Sequence, residues 1–529
     1  MKGMWRRGRT AAWATGVAVV IAAMLAVPAR ADEFTDKANA LYQTISQGKR
    51  SDLILLPALA NLAAPPVAVN TSLRAALVTT GSRDWSAAEA WANQPTQRAA
   101  IDALKRATAD DRSGVFMAFG QPYGIDNVSL DMIRAGLYTE LGDPPTLAAA
   151  DFGFMQALDY LVCLANVEAT RLAAAGEVTQ ALEVLSSLVV LGRQMADRAF
   201  FVEVDWGLLT MISGLHRMRD VAYGDLQSSS PKLNAESLQS FIDRLEDRSG
   251  FLKIDRIRFP QGEQIAADQL IARTIDSRGR ANAAFAPSMA RLSTRGRPLR
   301  MFSEVSRWEK LAPMHADWFD TTERASRVFR DWYGRWPLTQ FDPLLAQPYA
   351  FTTLSPVSDS ILLAVIPPGM STLFANRMVL RTEAAGTRTA FAIVAYYHVH
   401  RAFPPQIHSI VPRFINPLND DPFNPALRDR GGKPPLEFFV PIRDTRDQFG
   451  PREEPRPHRM NIIVLDGNNF DVSVNQNEFV LYSVGPDGAK NWARNIREDA
   501  RELYAGDYLV WPPITSLYRR HLMQMGLLP

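Results

Sequence analysis

The spacing of apolar residues changes character near residue 356, and that change limits the fold more than any other feature of the chain. Before it, from 32 to about 225, Ala and Leu dominate, β-branched runs are scarce, and apolar positions recur at helical spacing. Gly and Pro interrupt the period at Asn61-Leu62-Ala63-Ala64-Pro65-Pro66 and Gly142-Asp143-Pro144-Pro145. The clearest pair of segments is 158–174 and 178–195. Leu158, Leu161, Val162, Ala165 and Val167 recur near helical spacing in the first, and Ala181, Leu182, Leu185, Leu188 and Leu191 in the second. Gly176 between them suits the left-handed residue that ends a helix. The expectation is an αα-hairpin inside a helical domain.

Gln227-Ser228-Ser229-Ser230-Pro231 marks a boundary, after which helical spacing resumes through Arg258. Residues 276–300 are rich in Arg, Ser, Gly and Pro and read as a linker or surface loop, with Arg295-Gly296-Arg297-Pro298 a solvated stretch. Aromatic residues then concentrate over 302–351, among them Trp308, Trp318, Phe319, Trp332, Tyr333 and Trp336. Two readings compete. Large aromatics dominate burial, so the preferred reading is that they seal the helical body against the C-terminal domain; otherwise they line a groove.

Beyond 356, the run Ile361-Leu362-Leu363-Ala364-Val365-Ile366 is too short to span a membrane, and Pro367-Pro368 stops it. A long helix is predicted over about 372–400, closed by Arg401-Ala402-Phe403-Pro404-Pro405. Short runs rich in Val, Ile, Phe and Tyr follow at 436–442, 461–465, 470–474, 479–484 and 508–511, and Asp466-Gly467-Asn468-Asn469 suits a hairpin turn. The predicted class is α+β: a helical domain over 32–225, a helical extension over 226–355, and a long helix with a small antiparallel sheet over 356–529.

The first 31 residues read as a secretory signal. Lys2, Arg6, Arg7 and Arg9 precede an apolar run ended by Pro28, and Ala29-Arg30-Ala31 puts small residues where a signal peptidase reads. Cleavage is expected before Asp32, which places the protein in the periplasm or outside the cell. The rival is an uncleaved anchor helix, the one way this chain would hold a membrane; the Arg6-Arg7 pair lacks the apolar residues that the twin-arginine route favours. The whole chain has 58 basic and 56 acidic residues; without Lys2, Arg6, Arg7, Arg9 and Arg30 it has 53 against 56, a net −3. Such a balance gives no electrostatic footprint for nucleic acid. Cys163 is the only cysteine, so no intramolecular disulfide forms, and its setting Leu161-Val162-Cys163-Leu164 makes it a core residue.

No Gly-x-Ser-x-Gly elbow, Walker loop, dinucleotide glycine fingerprint or His-Glu-x-x-His occurs. His398, His400 and His408 form the only local histidine cluster, but residues two apart on a helix point about 200° apart. Ser46 and Lys49 match Ser-x-x-Lys at chance frequency, and Asp420-Asp421 before Pro422 reads as turn chemistry.

Two resemblances add to this. The hairpin around Gly176 resembles a single tetratricopeptide-type unit over about 35 residues, without a repeat around it. More specifically, the long helix, Phe403-Pro404, Asp421-Pro422-Phe423 and the run Leu481-Tyr482-Ser483-Val484-Gly485-Pro486-Asp487-Gly488 together resemble the soluble domain of the major pseudopilins of type II secretion systems. The resemblance covers about 150 of the 529 residues. It implies a spine helix with a small sheet, and calcium bound after the motif by Ser483, Asp487 and Asp507 with backbone carbonyls near Leu481. The loop in question runs over 490–505 and carries Arg494, Arg497 and Arg501. The chain departs from the family at its start, where a secretory signal and a helical body replace the prepilin leader and filament helix, so assembly into a pseudopilus is not expected. No cofactor besides that calcium is expected. The expected function is a non-catalytic envelope protein, a scaffold or binding module with protein partners; the alternative is an exported hydrolase with its site in a cleft near 302–351.

Overall fold

A computed structural model describes residues 33–109, 116–246, 251–295, 301–426, 434–446, 453–464, 467–498 and 506–528. Residues 1–31, read above as a secretory signal, lie outside them. The protein is α+β, as expected. Six short helices come first: α1 (Glu33–Gln43), α2 (Asp52–Leu59), α3 (Ser72–Leu77), α4 (Trp85–Ala92), α5 (Pro95–Ala107) and α6 (Leu130–Arg134). A small ribbon of β1 (Thr139–Glu140) and β2 (Asp151–Phe152) leads into α7 (Met155–Ala174), α8 (Val178–Met195) and α9 (Phe201–Leu226). Then come α10 (Ala235–Arg244), α11 (Gly262–Thr274), α12 (Phe285–Ser293), α13 (Met301–Leu311), α14 (Trp318–Arg335), α15 (Ser360–Val365) and the long α16 (Thr372–His400). The C-terminal unit holds β3 (Glu437–Phe439), β4 (His458–Ile463), β5 (Asn469–Val474), β6 (Val480–Ser483), β7 (Asn495–Arg497), β8 (Tyr508–Trp511) and α17 (Ile514–Gln524).

The hairpin of α7 and α8 turns where the sequence places it. Gly176 has φ +80°, its N–H donates to the Ala173 carbonyl, and Glu177 N–H reaches back to Leu172. Those two bonds close a Schellman motif that needs a residue free to turn left-handed. Helices α8 and α9 then cross with their backbones nearly touching: a Cβ on Gly207 would stand 2.6 Å from the Gly192 carbonyl oxygen. Helix α9 is the central post, packed on α8 and on α16, while α16 also packs on α10. One apolar cluster therefore runs from Ala38 in α1 through α9 and α16 to Trp511 in β8. Cys163 is buried in it, and burial pushes its thiol up to about 12.

The expected small antiparallel sheet is two three-stranded sheets. One has order β3-β6-β8 and is antiparallel throughout; the other has order β5-β4-β7, with β4 and β7 parallel. The first sheet is covered on both faces. Leu481, Tyr508 and Val510 join the main core, whereas Val480, Tyr482 and Leu509 face a second cluster with Met460, Ile462, Phe470 and Leu517. Side chains alternate across a strand, so a strand covered on both faces is apolar on both, save where a buried polar group such as Ser483 finds a partner in Asp421. That is why 479–484, with Ser483 the one exception, and 508–511 read as nearly continuous apolar runs.

Part of the aromatic segment packs into the body, whereas Trp318 and Phe319 are exposed. Trp332 and Phe329 are buried, and Phe259 meets Trp332, Trp336 and Phe374 with ring centroids 5.5–5.8 Å apart. Among the described residues, no helix is long and apolar enough to cross a membrane.

Candidate functional site

A cavity of about 500 Å³ lies where the helical body meets the C-terminal unit. Helices α3, α7, α9 and α16 wall it on one side, and β8 and the start of α17 on the other. Its lining is mainly apolar, with Val162, Leu209, Ile212, Val379, Leu509 and Ile514. An apolar hollow with a few fixed polar groups is the usual form of a small-molecule site.

The polar groups sit there because α9 and α16 carry charged residues on faces that the fold buries. Arg219 and Glu383 are 0% and 1% exposed. Their pairing is bidentate, at 2.6 Å and 2.9 Å, and the Arg219 guanidinium also donates to Thr387 Oγ1 at 2.7 Å. Tyr508, from β8, donates its hydroxyl to Glu383 Oε1 at 2.5 Å. Burial pushes the Glu383 carboxyl up, but the Arg219 charge and these hydrogen bonds outweigh it and hold the group below its usual range. Glu383 is thus a carboxylate with its partners already supplied.

His216 faces the same cavity, and its buried Nε2 has no hydrogen-bond partner. Burial and then the charge of Arg219 lower its pKa to about 4, so the ring is neutral at physiological pH. Trp206 Nε1 donates to Asp159 at 2.8 Å, and Asn376 donates to Asp205 at 2.7 Å. The site therefore presents one unused imidazole nitrogen in the same hollow as Glu383, whose charge Arg219 already balances. Sequence reasoning did not single out Arg219, Glu383, Tyr508 or His216. The available signal was charged residues inside apolar helical faces, as in Arg217-Met218-Arg219-Asp220.

The residues expected to hold calcium are each engaged locally. Ser483 Oγ donates to Asp421 Oδ1 at 2.6 Å. Asp507 is buried and accepts the N–H groups of Asn491 and Ala493. Burial pushes it up to about 6, and the nearby Asp487 charge adds to that. Asp487 itself is exposed and accepts the Ala489 N–H at 2.9 Å. Among the described residues, no three His, Cys, Asp or Glu side chains gather as a metal cluster. Asp421 also accepts the N–H groups of Val484 and Phe423, so the turn at Asp421-Pro422-Phe423 is tied directly to the end of β6. His398 and His400 both lie on α16, and His400 stacks on Tyr396.

A second hollow of about 500 Å³ adjoins Trp318 and Phe319 in the aromatic segment. Its carboxylates serve the backbone. Asp276 accepts the N–H groups of Arg280 and Arg278, which hold it below the usual carboxylate range, and Asp317 caps α14 through Asp320 N–H.

No family model, curated protein or solved structure matches the chain.

Proposed function

We propose that this protein is an exported, non-catalytic binding module of the cell envelope whose ligand is an apolar small molecule held between the helical body and the C-terminal sheets. The observation that carries the reading is the apolar cavity in which Glu383 is already neutralised by Arg219 and Tyr508. A general acid or base needs a proton it can exchange near pH 7. Glu383 is held as a carboxylate and His216 as a neutral ring, so these groups orient a ligand. The competing reading, an exported hydrolase, has one observation in its favour: His216 and Glu383 line the same hollow.

The test uses the chain without its signal segment and a neutral naphthylamine dye. The dye is expected to bind with enhanced, blue-shifted emission. Ser213→Trp, which fills the cavity from α9 at a position whose hydroxyl bonds only to its own helix, is expected to abolish binding with the melting temperature little changed. Equal dye binding by both proteins would remove the cavity from the account.

The C-terminal unit is read as a pseudopilin-like domain kept without its filament role. The link from Asp421 to Ser483 and Val484 supports this, since it joins two of the resembling motifs. Protein partners in the envelope belong to the same reading. Calcium at Ser483, Asp487 and Asp507 is a separate proposal, supported by the closeness of the Asp487 charge to Asp507. Added calcium should raise the melting temperature and a chelator reverse the rise; identical melting curves would remove the ion.

A further inference from the structure

The apolar cavity has a polar neighbour, and one side chain lines both. A hollow of about 390 Å³ continues along the same helices, and Arg217 of α9 belongs to both hollows. On α7, Val162 and Asn166 line the apolar cavity and Thr170 and Ala173 the polar hollow, at the three-to-four-residue steps of one helix face. From α17, Ile514 and Thr515 line the first and Arg519 the second.

The charges around Arg217 do not balance. Arg217 and Arg519 share one carboxylate, Asp220. Arg217 bonds to it directly, and Arg519 donates to its two oxygens at 3.1 Å and 2.9 Å. Ser516 donates a further hydrogen bond to the same carboxylate. Two guanidinium groups on one carboxylate leave one positive charge over. Arg217 is only 6% exposed, and its Nε–H, fully buried, has no acceptor. The Thr79 hydroxyl, in the same lining, is also buried without a partner. Asp225, in the same lining, accepts the backbone N–H groups of Lys232 and Leu233 at 2.8 Å and 2.9 Å, and the lining as a whole carries three cationic side chains, Arg217, Lys232 and Arg519, against two carboxylates, Asp220 and Asp225. Burying an uncompensated cation is costly unless an anion joins it.

We infer that the Arg217 hollow is a subsite for an anionic group, so that the ligand is an amphiphile with its apolar chain in the larger cavity and its anionic head against Arg217, Arg519 and Thr79. This rests on the cavity being a ligand site. Guanidinium donors suit a phosphate or carboxylate head through paired, charge-assisted hydrogen bonds.

The experiment is calorimetric titration of the chain without its signal segment with decyl phosphate, decanol and inorganic phosphate. Decyl phosphate should bind at least about 30-fold more tightly than decanol, the scale of one charge-assisted hydrogen-bonded contact. Arg217→Met should remove the preference, so that decyl phosphate and decanol bind that variant with equal affinity. That variant keeps Arg519 paired one-to-one with Asp220 and is expected to fold; Thr79→Val, a smaller change in the same lining, should lose affinity for decyl phosphate alone. Equal affinities for decyl phosphate and decanol would overturn the anionic subsite while sparing the cavity. Failure of both to bind would overturn the cavity and the subsite together. Inorganic phosphate binding as tightly as decyl phosphate would overturn the amphiphile and leave a free-anion site.

Discussion

Arg219→Met is expected to lower the stability of the protein by about 3–5 kcal/mol, the usual cost of removing one partner from a buried ion pair. The size reflects the charge left behind. Glu383 is 1% exposed and would be left with the Tyr508 hydroxyl as its partner, so the folded protein must either hold an unpaired buried charge or take up a proton to remove it. The effect should be felt across the molecule. Arg219 stands on α9, Glu383 on α16 and Tyr508 on β8, so the network fastens the helical post, the long helix and the C-terminal sheet to one another. Replacing the whole network by apolar side chains, as Arg219→Met with Glu383→Leu and Tyr508→Phe, leaves no buried charge unpaired. That triple variant is expected to recover most of the loss, because a buried pair contributes little over a well-packed apolar substitute. Urea unfolding followed by tryptophan fluorescence measures both. A single variant within about 1 kcal/mol of the parent protein, the scale of an ordinary surface pair, would show that the network carries no such energy.

This network also marks where the sequence stops being readable. The bounds of α16 were legible because a long periodic segment ends at Arg401-Ala402-Phe403-Pro404-Pro405, which cannot continue a helix. Strands β6 and β8 were legible because both of their faces are buried, which leaves apolar residues at every position but Ser483. The same property hid the division into two sheets, since a strand without a polar face gives no clue to which neighbour lies on which side. Strand β7 was missed for the opposite reason. Asn495–Arg497 has Ile496 as its only apolar residue, and it pairs in parallel with β4, a contact made across some thirty residues of chain. The charged residues of α9 and α16 were visible within apolar helical faces, but pairing Arg219 with Glu383 spans 164 positions and is set by how the helices cross. Local spacing places elements; partners between distant elements come from packing.

Glu263→Gln is expected to leave the protein more stable than the parent at alkaline pH and to make little difference at acid pH. Glu263 is in the first turn of α11 and 4% exposed, and it lines a cavity of about 270 Å³ beside Phe200 and Phe201. One carboxyl oxygen accepts the Phe201 N–H at 2.7 Å, and the other has no partner. Burial pushes its pKa up from 4.5 to about 8, with backbone hydrogen bonds opposing and the charge of Glu203 adding to the rise. The folded protein therefore holds the acid form, whereas the unfolded chain ionises near the ordinary value. A raised folded pKa gives stability that is full below 4.5 and lost as the pH rises through about 8. Over that window the parent loses up to about 1.4 kcal/mol per pH unit relative to the glutamine variant. Asp421 and Asp507, both pushed to about 6 by burial, act in the same direction, and His216 acts in the opposite one, losing stability as pH falls from 6.5 to about 4. All three are common to both proteins, so they cancel in the difference. Parallel stability curves from pH 5 to pH 9 would mean that Glu263 ionises in the folded state as readily as in water, and that the hollow beside Phe200 admits enough solvent to hold the charge.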